Sequence, residues 1–192
     1  GRIVGGDPTQ TVTVHGRTRM QMYRGHADWA GIRSVKDAVS VPVIVNGDIL
    51  TVADALKALD ESGADGVMVG RGSMRDPWIM RKIADHFAGR EPYEPPLTAR
   101  RDTLLRYFEL LRAASRTDRK AIGRMKKVTG YFTRGLPYGP EVRTRIFHSH
   151  AVDAIYAAVA EYFDKLAHAD IADGFSKVHA LEVEAFTPKA SR

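Results

Sequence analysis

Apolar residues along this chain change their spacing once, near residue 97. Before that point, short and nearly continuous apolar runs at Thr11–His15, Val43–Asn46 and Gly66–Val69 read as strands. They alternate with stretches of helical spacing: Gly31–Val39, Thr51–Ser62 with Val52, Ala55, Leu56 and Leu59 on one stripe, and a third that begins beyond Ser73. Thr51 with Asp54 three residues later predicts a capping box, and Gly63 ends that helix. For the third helix, Asp76 is expected as N-cap, Pro77 at the first helical position and Gly89 as C-cap. Runs as continuous as "VPVIV" and "DGVMV" belong to strands covered on both faces. The βαβαβα order therefore predicts a parallel sheet, in a (β/α)8 barrel or a doubly wound arrangement.

The stretch "REPYEPPLTARR" is a boundary. Pro92, Pro95 and Pro96 make it a stiff, extended connector. Beyond it the pattern is helical throughout. Leu97–Arg116 carries Leu104, Leu105, Phe108, Leu110 and Leu111 on a broad stripe. Lys120–Thr133 follows, then the breaker "RGLPYGP", then Glu141–Phe147 and Ser149–Leu166. A small helical bundle is the expected result. The expected organisation is an α/β part at 1–90, a linker at 91–97, a helical domain at 98–167 and a mobile tail at 168–192.

Composition narrows the picture. Of 192 residues, 44% are hydrophobic and 27% charged, as in a globular protein. With no cysteine, neither a disulfide nor a thiolate metal site can form, and no metal is expected. No apolar run reaches the length of a membrane span, and the first residues lack a secretory pattern, so a cytoplasmic location is expected. Nothing in the sequence specifies a protein partner.

The net charge of +6 is unevenly placed. Residues 1–96 hold 12 Lys/Arg against 12 Asp/Glu, residues 97–167 hold 14 against 7, and residues 168–192 hold 3 against 4. The helical segment thus carries a net +7, which suggests a polyanion partner. A solvated, arginine-rich helical surface would give the same count. Arg124, Lys126, Lys127, Arg134, Arg143 and Arg145 cluster around "RGLPYGP" and are the candidate contacts to such a polyanion.

Each strand ends in a polar or glycine-rich turn: "HGRT" at 15–18, "NGDI" at 46–49 and "GRGS" at 70–73. Gly47, Gly70 and Gly72 allow backbone N–H groups to approach an anion, and Arg71 supplies charge. Barrel enzymes build their sites, phosphate sites included, from such turns. A lone G-R-G is also an ordinary turn, and a histidine at a strand end can merely bond a neighbour. His15, however, is followed by Arg17, Arg19 and Arg24 interleaved with Met20, Met22, Tyr23 and Trp29. Arginines among flat apolar side chains suit a stacked anionic or base-like ligand, which makes Arg17 and Arg24 candidate substrate contacts. Trp29 could equally be a buried anchor.

Three segments in this order, "TVHGRTRMQMYRGHADW", "VPVIVNGDI" and "SGADGVMVGRGSMRDPW", resemble the tRNA-dihydrouridine synthase family, nearest to its bacterial subfamily B. The resemblance covers residues 11–88 closely. "RMKKVTGYFTRGLPYGPEVRTRI" resembles, more loosely, the basic helix and turn of the family's C-terminal RNA-binding domain. This chain has Met-Lys-Lys at 125–127 where family members often have Arg-Lys-His.

The resemblance implies a flavin enzyme on a TIM barrel. FMN would lie at the strand C-termini, NADPH would reduce it, and hydride would pass to uracil C6 in tRNA, with a cysteine as general acid toward C5. His15 would lie at the flavin, and Asn46, Asp48, Gly70 and Arg71 would hold the ribityl phosphate region beside Gly47. Arg24 would face an extruded uracil. The three strands would correspond to the sixth, seventh and eighth of the barrel, which needs about 250 residues. The chain is accordingly expected to be a C-terminal portion that lacks the catalytic cysteine and cannot complete the reaction alone. Two other readings compete: a non-catalytic RNA-binding remnant, and another FMN- or phosphate-binding barrel oxidoreductase, such as one resembling dihydroorotate dehydrogenase. The basic helical half argues against the latter, because a small substrate needs no such surface.

Overall fold

The computed structural model describes residues 11–22 and 24–168. The tail expected from residue 168 lies outside them, apart from His168, which ends the last helix. The chain divides between Pro92 and Tyr93 into two compact units.

The first unit holds three strands, β1 (Val12–His15), β2 (Val43–Asn46) and β3 (Gly66–Met68), in the order β1-β2-β3 and all parallel. The register aligns His15 with Asn46 and Asn46 with Met68, so the three strands finish level with one another. A 3-10 turn at Ala30–Ile32 leads into α1 (Arg33–Ala38), and α2 (Val52–Ser62) connects β2 to β3. Thr51 and Asp54 form the expected capping box on α2, and Gly63 ends it in a left-handed conformation. The core lies between sheet and helices, around Ile32, Val43, Val45, Ile49, Ala55, Ala58, Ile79 and Ile83.

Two expectations are corrected here. The strands were expected to be covered on both faces. Val43 and Val45 are fully buried, but on the other face Thr13, His15 and Met68 are exposed. Among the described residues only one face is covered, and the sheet is not closed. The helix expected from Pro77 starts two residues later, as α4 (Ile79–Phe87) with Trp78 rather than Asp76 at its N-cap, and a short helix that was not expected, α3 (Arg71–Arg75), precedes it. Asp76 is extended, as a residue before proline prefers to be, and this separates them. Its carboxylate accepts from the Trp78 N–H and pairs with buried Lys82 at 3.0 Å. Gly89, with φ of 65°, follows the end of α4.

The second unit is a bundle of α5 (Leu97–Ala113), α6 (Asp118–Phe132), α7 (Gly139–His148) and α8 (Val152–His168). Leu104, Phe108, Met125, Phe132, Ile146, Ile155, Val159 and Leu166 are among its buried residues. The stripe on α5 is narrower than expected. Leu104 and Phe108 are buried, Leu105 and Leu111 only partly, and Leu110 is half exposed. Arg100 takes part of that buried face and lies 3.5 Å from Glu94. The α6–α7 turn is fixed by Tyr162, whose hydroxyl donates to the Pro137 carbonyl at 3.0 Å. Burial pushes that hydroxyl's pKa well above its usual value. Among the described residues no helix is long and apolar enough to cross a membrane.

Candidate active-site face and cationic helical surface

Parallel pairing puts the three turns after β1, β2 and β3 at one end of the sheet. The ladder continues past β1, where the Gly16 N–H donates to the Asn46 carbonyl at 2.9 Å. Asn46 Nδ2 donates to the Met68 carbonyl at 2.7 Å and ties the ends of β2 and β3. His15 Nδ1 accepts the Arg17 N–H at 3.1 Å. A ring nitrogen that accepts carries no proton, so neutral His15 holds its proton on Nε2, available as a donor.

Asp48 is the centre of this end. It sits at φ of 53°, a backbone region that aspartate tolerates better than most residues. Arg17 grips it with both terminal nitrogens, Nη1 to Oδ1 at 2.9 Å and Nη2 to Oδ2. Arg71 Nη2 reaches Oδ1 at 3.1 Å, and the Ala27 N–H donates to Oδ2 at 2.8 Å. Partial burial acts against the charge. The Arg17 hydrogen bonds, the Ala27 N–H and the two guanidinium charges outweigh it, and hold Asp48 below the usual carboxylate range.

Arg17 was expected at the substrate, but its side chain is only 4% exposed. Two further N–H groups donate to the carbonyls of Arg24 and Gly25, at 3.3 and 2.6 Å. It therefore fixes the loop that carries Arg24, which is itself exposed. Asp48, in turn, directs its oxygens toward the two arginines and Ala27. The two side chains thus spend hydrogen bonds on each other and on the neighbouring loop.

The glycines differ in purpose. Gly47 has φ of 120°, and a Cβ there would lie 2.9 Å from Ala27 Cβ and 3.2 Å from the His15 ring. Gly72 is required by packing, since an added Cβ would collide with the Ile49 carbonyl. Gly70 faces open space, next to the partly exposed Arg71. An open glycine turn beside a guanidinium fits a phosphate-bearing group. Trp29 is an anchor: it packs on the core and donates from Nε1 to the Gly47 carbonyl at 2.8 Å.

In the helical unit the six candidate cations lie on or beside α6 and α7. Arg124 and Lys127 are exposed on α6, and Arg134 is exposed in the turn. Lys126 Nζ donates to the Phe147 carbonyl at 2.7 Å. Arg143 Nη1 donates to the Thr133 carbonyl at 3.0 Å. Arg145 forms a two-pronged pair with Glu161, which raises the arginine's pKa further and offsets its charge. Sequence reasoning missed Phe147 and His148, which border Lys126 and Arg143. The signal was an aromatic pair at the polar end of a helix, in "RIFHSH".

The dihydrouridine synthase family model matches residues 2–166. The chain belongs to the dihydrouridine synthase family. A Rickettsia conorii protein named "Probable tRNA-dihydrouridine synthase" is 38% identical over 164 residues, 84% of this chain and 49% of its own length. The "tRNA-dihydrouridine synthase B" of Xanthomonas axonopodis pv. citri is 37% identical over 156 residues, 81% of this chain and 47% of its own. A Rhodobacter capsulatus relative named like the Rickettsia protein reaches 48% over 101 residues, 52% of this chain and 31% of its own. The chain spans about half the length of the first two. Dihydrouridine synthases are built on a TIM barrel; in this chain the described strands are three, parallel, and form an open sheet.

Proposed function

We propose that this chain supplies the flavin-phosphate turn and the RNA-holding surface of a tRNA-dihydrouridine synthase, which reduces uridine to dihydrouridine in tRNA. The observation that carries this reading is the convergence of His15, Asn46, Asp48 and Arg71 at one end of a parallel sheet in a member of this family. FMN, reduced by NADPH, would supply hydride to the uracil ring.

The chain's own residues would bind and orient. Gly70 and Arg71 would hold the phosphate, through an open backbone approach and a guanidinium charge. Asp48 keeps Arg71 in place by accepting one of its N–H groups. His15 would donate from Nε2 toward the flavin, and Asn46 would flank it from the next strand. Arg24 would meet the extruded uracil, on a loop that Arg17 fixes. Arg124, Lys126, Lys127, Arg134 and Arg143 would hold the tRNA backbone, with Arg145 weakened by Glu161. The chain contains no cysteine, so a cysteine acid toward C5 does not come from these 192 residues. The cationic surface of α6 and α7 taken alone also suits a second reading, an RNA-binding protein without catalysis.

Equilibrium dialysis against FMN and riboflavin tests the flavin part and separates the two readings. The two ligands differ by the phosphate alone. The proposal expects FMN to bind at least about tenfold tighter, a difference of about 1.4 kcal/mol. Arg71→Ala should remove that preference. Equal binding of both ligands, or of neither, would overturn the flavin role and leave the second reading.

A further inference from the structure

A solvent-open cleft of about 330 Å³ lies in the helical unit, bordered by Lys126 and Gly130 of α6 and by Arg143, Thr144, Phe147 and His148 of α7. Its size is at the low end of small-ligand sites, which run to about 1,000 Å³. Its lining brings together three kinds of group.

The first is an exposed aromatic. Phe147 is 68% exposed, whereas Phe108, Phe132 and Phe163 of the same unit are buried. A lone exposed ring is ordinary in itself; this one is set in a cluster, with the His148 ring meeting it edge-on at 5.5 Å between centroids. The second is cationic. Lys126 is held at the ring by its bond to the Phe147 carbonyl, with Nζ 5.5 Å from the ring centroid. Arg143 uses only Nη1 on Thr133, so the other edge of its guanidinium is not committed among the described residues. The third is a directional acceptor. His148 Nδ1 bonds the Thr144 carbonyl at 2.8 Å. A carbonyl can only accept, so Nδ1 carries the proton and Nε2 of the neutral ring is left as an acceptor.

Gly130 contributes by what it lacks. It sits inside α6, where glycine is a poor helix former, yet a Cβ there would meet nothing within 4 Å. No neighbour requires the glycine, and its effect is to keep that wall of the cleft low.

We propose that this cleft takes a single unstacked nucleotide of an RNA strand, with its base against the Phe147 ring and its phosphate against Lys126 and Arg143. A flat base would cover the exposed ring, the two cations would meet the backbone charge, and His148 Nε2 could accept from a base amino group. Aromatic stacking combined with backbone cations is the means by which proteins hold single-stranded nucleic acid. A protein segment would also cover an aromatic ring, but it would not need two cations on one side. The proposal rests on the RNA reading above and adds a specific contact to it.

The test uses the full chain as wild type, Phe147→Ala and Phe147→Trp. Each is titrated with a fluorescein-labelled tRNA transcript at several salt concentrations, after a thermal melt has shown that the variants fold. Removing one base stack should weaken binding about 5- to 150-fold at every salt concentration. The salt dependence should not change, because no phosphate contact is lost. Tryptophan should restore the affinity. An alanine variant that binds like wild type, as a protein-docking cleft would give, overturns the cleft alone. A loss that tryptophan fails to restore also overturns it. A wild-type chain that binds no tRNA at any salt concentration overturns the RNA reading itself, and the cleft with it.

Discussion

Arg17 and Asp48, 31 residues apart in sequence, face each other across the ends of adjacent parallel strands with two hydrogen bonds between them. The arginine is almost wholly buried, so the pair is more than a surface contact. Asp48→Asn keeps the shape but removes the charge, and should destabilise the first unit by about 1–3 kcal/mol. The effect should depend on pH. The folded-state pKa of Asp48 is lowered, so its stabilisation is present above the unfolded value of about 3.9 and is lost as pH falls through the folded value. Urea unfolding should therefore show wild type ahead of Asp48→Asn at pH 7, with the two converging below about pH 4. Equal stability at pH 7 would show that the pair contributes nothing.

Gly47 couples this pair to His15. Gly47→Ala forces a side chain onto a backbone at φ of 120° and against both Ala27 and the His15 ring. A loss of about 1–3 kcal/mol is expected. The His15 ring should also be displaced, which its imidazole NMR resonances would report. Unchanged resonances together with unchanged stability would mean that the turn has room the geometry does not indicate.

Much of this was legible in the sequence. The strand positions, the capping box at Thr51 and Asp54 and the switch to helices beyond the prolines follow from local spacing and local hydrogen bonds. The inward turn of Arg17 was not legible, because its partners at Asp48, Arg24 and Gly25 are set by strand register and loop closure. The same holds for α5, where periodicity marked Leu110 as buried while Arg100 took a core position. The split at Asp76 was open to reading, since Pro77 restricts the residue before it. The exposure of Phe147 was not legible either, because it is set by how the bundle helices pack.

Lys82 and Asp76 form a buried pair where the chain breaks between α3 and α4. Lys82→Met leaves the Asp76 charge without its buried cation, and a loss of about 3–5 kcal/mol is expected. The double variant Lys82→Met with Asp76→Asn should recover a substantial part of that loss. Chemical denaturation of the two variants checks this. A double variant no better than the single would show that the charge imbalance is not the cause.

The central claim, that the cationic helical surface holds tRNA, is tested most directly by the salt dependence of tRNA binding to wild type and to the double variant Lys126→Ala with Lys127→Ala. Each phosphate neutralised adds about 0.7–0.9 to the slope of log affinity against log salt. The account predicts tight binding at low salt that falls steeply as salt rises, with the slope of the double variant smaller by about 1–2. No binding at low salt, or an unchanged slope in the double variant, would contradict it.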